Sequence, residues 1–157
     1  MANQNTFKQA PLPFIGQKRM FLKHFETVLN ENIKGDGEGW TIIDTFGGSG
    51  LLSHAAKVIK PKAHVIYNDF DGYATRLQNI NNTNRLRQII FDLTEHIPRN
   101  QKLPENVQKQ VQTALKLFDD YIDLHSVASW LLFSGRRTTD LHDLLHNHTY
   151  YSELNLD

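Results

Sequence analysis

The sequence predicts an α/β protein whose first part is a βαβ unit and whose second part is helical. Two short apolar runs, "WTIID" and "AHVIYND", bracket a glycine-rich loop and a helical segment. This is the order of a βαβ unit with a parallel sheet. Beyond Pro104 the apolar residues recur at helical spacing, and we expect no further strand. With 157 residues, 39% of them hydrophobic, the chain has material for one core.

The first part, residues 1–100, begins with a predicted amphipathic helix in "GQKRMFLKHFETVLNENI", which "GDGEG" ends. Its apolar stripe is Met20, Phe21, His24, Phe25, Val28 and Leu29. Because both strand segments are apolar along their length, we expect the sheet to be buried on both faces. "LLSHAAKVIK", halted by Pro61, is the helix between the strands, and "DGYATRLQNINNTNRLRQIIFDLTEHI" is the helical segment after them.

The second part, residues 101–157, is predicted to be all-helical. One stripe runs through Val107, Val111, Ala114, Leu115, Phe118 and Ile122. "SVASWLLF" is a second helix or buried segment that ends at Gly135 and places Trp130 in the core, and Thr138 or Thr139 caps a third helix.

The first part carries 12 − 9 = +3 charges and the second 5 − 8 = −3. We expect Arg76, Arg85 and Arg87 to be surface charges.

The composition excludes several classes of function. Lysine plus arginine equals aspartate plus glutamate, 17 against 17, so a nucleic-acid role would need local patches. Without cysteine there are no disulfides and no thiolate metal sites, which fits a reducing compartment. No apolar run approaches the ~18 residues of a membrane span, and no signal peptide is recognisable. We therefore expect a soluble, cytoplasmic protein with no membrane partner.

The glycine-rich loop "DTFGGSG", residues 44–50, predicts a ligand site. A glycine turn between a strand and a helix directs backbone N–H groups at a ligand, and glycines allow close approach. Asp69 follows Gly50 by 69 − 50 = 19 residues, where a carboxylate accepts ribose hydroxyl protons in nucleotide-binding sheets. Asp44 would repel a diphosphate, and no Gly-Lys-Ser/Thr occurs. S-adenosylmethionine has a ribose and no phosphate, so it fits this loop better than NAD does. NAD is also disfavoured by Ser53, which stands where an NAD-binding loop has a third glycine or alanine.

Three motifs carry a resemblance to a known family. "DTFGGSG" resembles the Asp-Pro-Phe-x-Gly-x-Gly loop of Dam-like adenine-specific DNA methyltransferases, with Thr45 in place of the proline. "PFIGQK" is similar to their N-terminal cofactor-lining motif, with Gln17 in place of a second glycine, and "YNDF" is similar to their second-strand Asn-Asp motif. The motifs occur in the family's order and span residues 11–71.

The resemblance implies a Rossmann-like S-adenosylmethionine-dependent methyltransferase fold, here incomplete and followed by a helical second part. It implies that Phe14 and Phe46 pack near the cofactor, that Gly48 and Gly50 give access to the main chain, and that Asp44 lies near the methionine end. Lys18 would pair with the methionine carboxylate and Asp69 would bind the ribose. The implied cofactor residues are Phe14, Ile15, Gly16, Lys18, Asp44, Thr45, Phe46, Gly48, Gly50, Asp69 and Phe70.

A further resemblance concerns the second part. "SVASWLLFSGRRTT" is similar to a helical stretch of these enzymes that contributes to DNA contact. It makes Arg136 and Arg137 candidates for binding the phosphates of double-stranded DNA, with a solvated basic turn as an equal alternative.

The family's catalytic Asp-Pro-Pro-Tyr motif, which holds the flipped adenine, is absent. The prolines are residues 11, 13, 61, 98 and 104, and none are adjacent. We therefore predict no catalytic residue and no activity of this chain alone, as for the first part of a longer enzyme. A non-catalytic partner or regulatory fragment that completes its sheet in trans is one alternative, and an NAD-type nucleotide-binding domain is another. Self-association or a complementing C-terminal half follows from either of the first two possibilities.

Two features near the end of the chain lie outside the resemblance. His142, His146 and His148 have a spacing that can hold zinc, but no third ligand is evident, and we predict no metal site. Tyr150 and Tyr151 are predicted to pack against strands that this chain lacks.

Overall fold

The computed structural model describes residues 7–14, 16, 18–138 and 140–154. The chain forms two compact units, Met1–Thr75 and Arg76–Asp157. The predicted division at residue 100 separates a cofactor-binding part from a DNA-contacting part, and as a division of function it stays a prediction.

The first unit contains the predicted βαβ unit. Strand β1, Thr41–Asp44, pairs in parallel with strand β2, His64–Tyr67, and helix α2, Leu51–Ile59, connects them. The register places Asp44 beside Tyr67, so the carboxyl ends of both strands lie together. The fold class is therefore mixed α/β with a small parallel sheet.

Helix α1, Leu22–Asn32, follows a 3₁₀ turn at Arg19–Phe21. Its buried side is narrower than the predicted stripe, because Met20 and Phe21 precede the α-helix and are exposed, as is Val28. Phe25 lies partly buried at the apolar cluster that α1 and α2 form on one face of the sheet. The other members of that cluster are Leu29, Ile33, Ile42, Ala56, Ile59 and Val65.

The opposite face of the sheet is open, which corrects the prediction of burial on both faces. Burial alternates along both strands, and Ile43 and Ile66 remain 61% and 42% exposed. The strands are apolar throughout, yet α1 and α2 pack against one side of them only. An apolar sheet face of this kind is a place where another element can pack.

The second unit is helical as predicted, and its described residues contain no paired strand beyond Pro104. An isolated antiparallel bridge joins Lys102 to Tyr151. The helices are α4, Ile80–Thr94; α5, Glu105–Leu117; α6, Leu124–Leu131; and α7, Leu141–Asn147, while the short helix α3, Tyr73–Gln78, contains the boundary between the units. They enclose a core that includes Leu86, Ile90, Val107, Val111, Leu115, Trp130, Leu144 and Tyr150.

Three predictions about the second unit are corrected or confirmed by this packing. Trp130 is a core residue, as predicted. Tyr150 is fully buried and its hydroxyl donates to Leu144 O at 3.0 Å, so the prediction that it awaits missing strands is wrong. Helix α7 is capped by the side chain of Asp140, which accepts from His142 N, and not by Thr138. Thr139 lies outside the described residues.

Arg76 was expected on the surface and is instead buried. Its Nε and Nη2 donate to the two carboxylate oxygens of Asp123 at 2.9 and 3.0 Å, and the two side chains are 6% and 1% exposed. Local sequence pattern does not reveal this pair because Asp123 lies 47 positions away. Arg85 is on the surface, as predicted, and pairs with Asp119 and Asp120.

None of the helices in the described part of the chain combines the length and the apolar character that a bilayer crossing requires.

Candidate functional site

The predicted glycine loop lies where the two strands end. It leaves β1 after Asp44 and enters α2 at Gly50, whose φ of 69° is left-handed. The loop closes on itself through Gly50 N, which donates to Gly47 O at 2.8 Å. Asn68, just after β2, fastens both ends: its backbone N donates to Asp44 O at 3.1 Å and its Nδ2 donates to Thr45 O at 2.9 Å.

The glycines of this loop make room for two aromatic rings of the protein itself. A Cβ on Gly47 would lie 2.2 Å from Cε2 of Tyr67, and a Cβ on Gly48 would lie 2.9 Å from Cε1 of Phe14. Gly48 also has a φ of 51°, which favours glycine. The Phe14 ring already fills the space beside Gly48. Access of a ligand to the main chain of this loop stays a prediction.

The N-terminal motif reaches the same loop. The Phe14 ring packs against Gly48 and meets the ring of Tyr73 edge-on, with 5.5 Å between centroids. Lys18 Nζ donates to Phe46 O at 2.9 Å, and Gly16 is exposed with a φ of 81°. Ile15 lies outside the described residues. Two motifs more than 25 positions apart in the chain are thus in direct contact.

Asp44 ends β1 with a partly buried carboxylate. Ser53 Oγ, on the first turns of α2, donates to its Oδ2 at 2.7 Å. Ser53 occupies the position at which an NAD-type loop has a small apolar residue, and here it supplies a hydrogen bond to the carboxylate. A negative group held at this place would be unfavourable for a diphosphate.

Asp69 caps helix α3 with both carboxylate oxygens. Oδ1 accepts from Tyr73 N at 2.7 Å and lies 2.9 Å from the Tyr67 hydroxyl, while Oδ2 accepts from Ala74 N at 2.9 Å. Burial acts to raise the pKa of Asp69, but the hydrogen bonds from Ala74, Tyr67 and Tyr73 outweigh it and lower that pKa below its ordinary value. The carboxylate is therefore ionised at neutral pH.

The capping role limits how Asp69 could bind a ribose. Each carboxylate oxygen offers two acceptor positions, and the contacts with α3 and Tyr67 occupy both positions on Oδ1 and one on Oδ2. One position on Oδ2 remains for an external hydroxyl. Asp69 can accept one ribose hydroxyl while both of its bonds to the N-terminus of α3 stay in place.

Two aromatic side chains in the predicted site are open to solvent. Phe46, in the loop, is 81% exposed, and Phe70, directly after Asp69, is 90% exposed. Large apolar side chains with so little cover offer contact area to the ring of a ligand or to another polypeptide.

Sequence reasoning missed Tyr67 and Tyr73. Tyr67 packs its ring on Gly47 and its hydroxyl lies 2.6 Å from Gly48 O. Tyr73 is buried, and its hydroxyl accepts from Leu12 N at 3.0 Å and lies 3.3 Å from Leu12 O. The available signal was position: both tyrosines stand within four residues of Asp69, and a loop with three glycines needs bulky neighbours to fill the space.

An open cavity of about 380 Å³ lies beside the loop, between α2 and β2. Gly50, Ser53 and Tyr67 line it together with His54, Lys57, His64 and Val65. It shares Gly50 with the predicted cofactor residues but contains neither Asp69 nor Phe70, so it does not mark the predicted site.

The predicted DNA-contacting residues belong to the second unit. Arg136 and Arg137 are exposed in the segment after a 3₁₀ turn, Phe133–Gly135. Ser134 and Gly135 both have positive φ, 59° and 70°, so the chain bends sharply just before the two arginines. Their contact with DNA stays a prediction.

The histidine cluster is held by contacts within the second unit. The rings of His142 and His146 stack at 4.2 Å between centroids, and His146 Nδ1 bonds to His142 O. His148 Nε2 lies 2.9 Å from Asp143 Oδ2. Within the residues that the structure describes, no group of three or more histidine, aspartate or glutamate side chains is placed to hold a metal ion.

Comparison with known proteins gives one informative relative. A Haemophilus influenzae protein named "Putative methyltransferase" is 64% identical over 138 residues, which are 87% of this chain and 47% of that protein. The similarity supports a relationship of this chain to methyltransferases. The chain spans about half the length of this relative, whose name states neither a cofactor nor a substrate. No protein-family model and no solved structure matches the chain.

Proposed function

We propose that the chain is the S-adenosylmethionine-binding part of an adenine-specific DNA methyltransferase. The observation that carries this proposal is the convergence of three separate motifs in the first unit. Phe14 and Lys18 contact the loop at Gly48 and Phe46, and Asp69 is joined to Gly48 through the Tyr67 hydroxyl. The relative named as a methyltransferase supports the same class of reaction.

The residues present fit this cofactor. Asp69 keeps one acceptor position on Oδ2 for a ribose hydroxyl, and Phe46 and Phe70 offer exposed rings to an adenine. Asp44 supplies a carboxylate for the positively charged methionine end. Lys18 Nζ uses one of its three hydrogens on Phe46 O, and the other two can serve the methionine carboxylate. When bound, the cofactor supplies a methyl group on a sulfonium.

Methyl transfer to adenine is proposed for a longer protein and not for this chain alone. The chain has five prolines and none are adjacent, so the Asp-Pro-Pro-Tyr motif that would hold the adenine amine is missing. Methylation of double-stranded DNA with radiolabelled cofactor should stay at background even at high protein concentration. Turnover by the purified chain would overturn this part of the proposal.

The alternative is a non-catalytic or regulatory polypeptide that completes its sheet with another chain. The exposed Ile43 and Ile66 on the open sheet face favour a partner of some kind. A methyltransferase part requires cofactor binding and a non-catalytic polypeptide does not, so binding is the property to test first.

The decisive experiment is calorimetric titration with S-adenosylhomocysteine and with NAD. We expect binding of the first, weakened by about 1–3 kcal/mol in Asp69→Asn because a ribose hydroxyl loses its charged acceptor. Asparagine is preferred to alanine because it keeps an acceptor for the N-terminus of α3. Asp71→Asn, an exposed residue two positions away, is the control for loss of charge. Unchanged affinity in Asp69→Asn removes Asp69 from the site, and tighter binding of NAD favours a dinucleotide-binding domain.

Double-stranded DNA is the proposed partner of Arg136 and Arg137. If both contact phosphates, Arg136→Ala with Arg137→Ala should lower the slope of log affinity against log salt by about two. Arg99→Ala, an exposed arginine elsewhere in the second unit, is the matched control. An equal slope in the double variant and the wild type would assign the two arginines to a solvated turn.

A further inference from the structure

The Tyr67 hydroxyl lies between two acceptors. Its oxygen is 2.6 Å from Gly48 O and 2.9 Å from Asp69 Oδ1. Burial, and the neighbouring Asp69 carboxylate, raise the pKa of the phenol, while that of Asp69 is lowered. At neutral pH the phenol is therefore protonated and the carboxylate is ionised. Since a phenol has one proton, the two acceptors compete for it.

The two acceptors belong to different parts of the candidate site. Gly48 lies in the glycine loop, in a left-handed conformation with the Phe14 ring filling its free side. Asp69 is fixed from the other direction by Tyr73 N and Ala74 N. The Tyr67 hydroxyl can donate its proton to Gly48 O in the loop or to the Asp69 carboxylate, but not to both at once.

Gly48 and Asp69 are also connected by a second set of contacts. Tyr73, whose backbone N binds Asp69, carries the hydroxyl that holds Leu12 and the ring that meets Phe14. Phe14 in turn packs on Gly48. Gly48 and Asp69 are thus joined by packing on one side and by the Tyr67 hydroxyl on the other.

We propose that Tyr67 is a positioning residue whose hydroxyl proton couples the glycine loop to the ligand state of Asp69. The ligand class follows from the proposed function, on which this part rests: a nucleoside with ribose hydroxyls. A hydroxyl that donates to the free position on Asp69 Oδ2 reduces the attraction of the carboxylate for the Tyr67 proton. The Tyr67 hydroxyl then donates to Gly48 O, and the loop is held more tightly. A nucleoside without these hydroxyls leaves the loop as it was.

The first test needs no ligand. Asp69→Asn replaces the charged acceptor by a neutral amide, which competes less well for the proton. Exchange of the Gly50 amide, which donates to Gly47 O within the loop, should slow by about three- to tenfold, since charged hydrogen bonds are roughly twice as strong as neutral ones. In a Tyr67→Phe background the same Asp69→Asn change should leave the Gly50 exchange rate unaltered.

The matched control is Tyr151→Phe, which removes a phenol in the second unit. It should behave as wild type, including the slowing caused by Asp69→Asn. If Asp69→Asn exchanges at the wild-type rate, or if the slowing persists in Tyr67→Phe, the coupling is refuted. Should Tyr67→Phe not fold, the comparison of Asp69→Asn with wild type decides by itself, because it retains Tyr67.

The second test uses two ligands that differ only in the ribose hydroxyls. At matched saturation, adenosine should slow Gly50 exchange in the wild type by about threefold or more relative to 2′,3′-dideoxyadenosine. Tyr67→Phe should abolish that difference in exchange rate. A purely structural defect would instead weaken the binding of both ligands to the same extent. A difference that survives in Tyr67→Phe overturns the coupling. If neither adenosine nor S-adenosylhomocysteine binds the wild type, the proposed function fails, and the ligand-free test still judges Tyr67.

Discussion

The buried ion pair between Arg76 and Asp123 allows a stability prediction with a clear magnitude. Asp123 is 1% exposed, and its oxygens also accept from Ser126 Oγ at 2.6 Å and from Ser126 N at the start of α6. In Asp123→Asn the amide nitrogen faces donors, and the buried arginine loses the charge of this carboxylate. Removing one partner of a buried pair costs about 3–5 kcal/mol.

Urea denaturation followed by tryptophan fluorescence measures this effect. Trp130 reports on the second unit because it is buried there, and a Trp40→Phe background removes the other tryptophan, which is exposed. With a urea dependence of about 1–3 kcal/mol per molar, the midpoint should fall by at least about 1 M. Asp119→Asn, in the exposed pair with Arg85, is the control and should change stability by less than about 1 kcal/mol.

Two further results test whether burial of the charges sets this cost. Replacing both members of the pair by apolar residues, Arg76→Met with Asp123→Leu, should recover only part of the loss, because the desolvation cost disappears with the charges while the buried Ser126 hydroxyl loses its acceptor. A loss below about 1 kcal/mol in Asp123→Asn would show that the pair is not desolvated as the structure has it.

Three further predictions concern other parts of the chain. Gly47→Ala should destabilise the first unit by about 1–3 kcal/mol, because its Cβ would lie 2.2 Å from the Tyr67 ring; an unchanged melting temperature would contradict this contact. Asp143, whose hydrogen bonds from Asn147, His148 and Thr138 lower its pKa from 3.8 to about 2, contributes stability that is present above pH 3.8 and is lost as the pH falls through about 2. A carboxyl titration by NMR with a midpoint near 3.8 would disprove that. Finally, the open sheet face should promote self-association at tens of micromolar, and Ile43→Thr with Ile66→Thr should reduce it; a compact wild-type monomer in light scattering would refute the prediction.

The order of the elements was predictable because each depends on local sequence. Apolar runs, glycine turns and helical periodicity lie within a few residues of one another, so β1, α2 and β2 were placed correctly. The exposure of the sheet was not predictable, because the same apolar pattern suits a strand covered on both faces and one that still lacks a cover. Met20 and Phe21 were misplaced for a similar reason: a 3₁₀ turn precedes α1 and rotates them away from the face of Leu29.

The contacts within the candidate site depended on tertiary structure. The sequence indicated that Asp69 and the glycine loop belong together, but not that Asp69 is a helix cap with one free acceptor position. It indicated that Gly48 needs to be small, but the cause is the Phe14 ring and a positive φ. Tyr67 stood directly before the Asn-Asp motif and was overlooked because its partners come from a loop 19 positions away.

The packing of the Tyr67 ring on Gly47 constrains how this protein can vary. Neither position is free to change alone, because a side chain at 47 collides with the ring, and a smaller residue at 67 leaves a void over the loop. Substitutions at the two positions should therefore be strongly non-additive, with Tyr67→Val relieving the defect of Gly47→Ala. In a collection of related sequences, a non-glycine residue at position 47 should accompany a small residue at position 67.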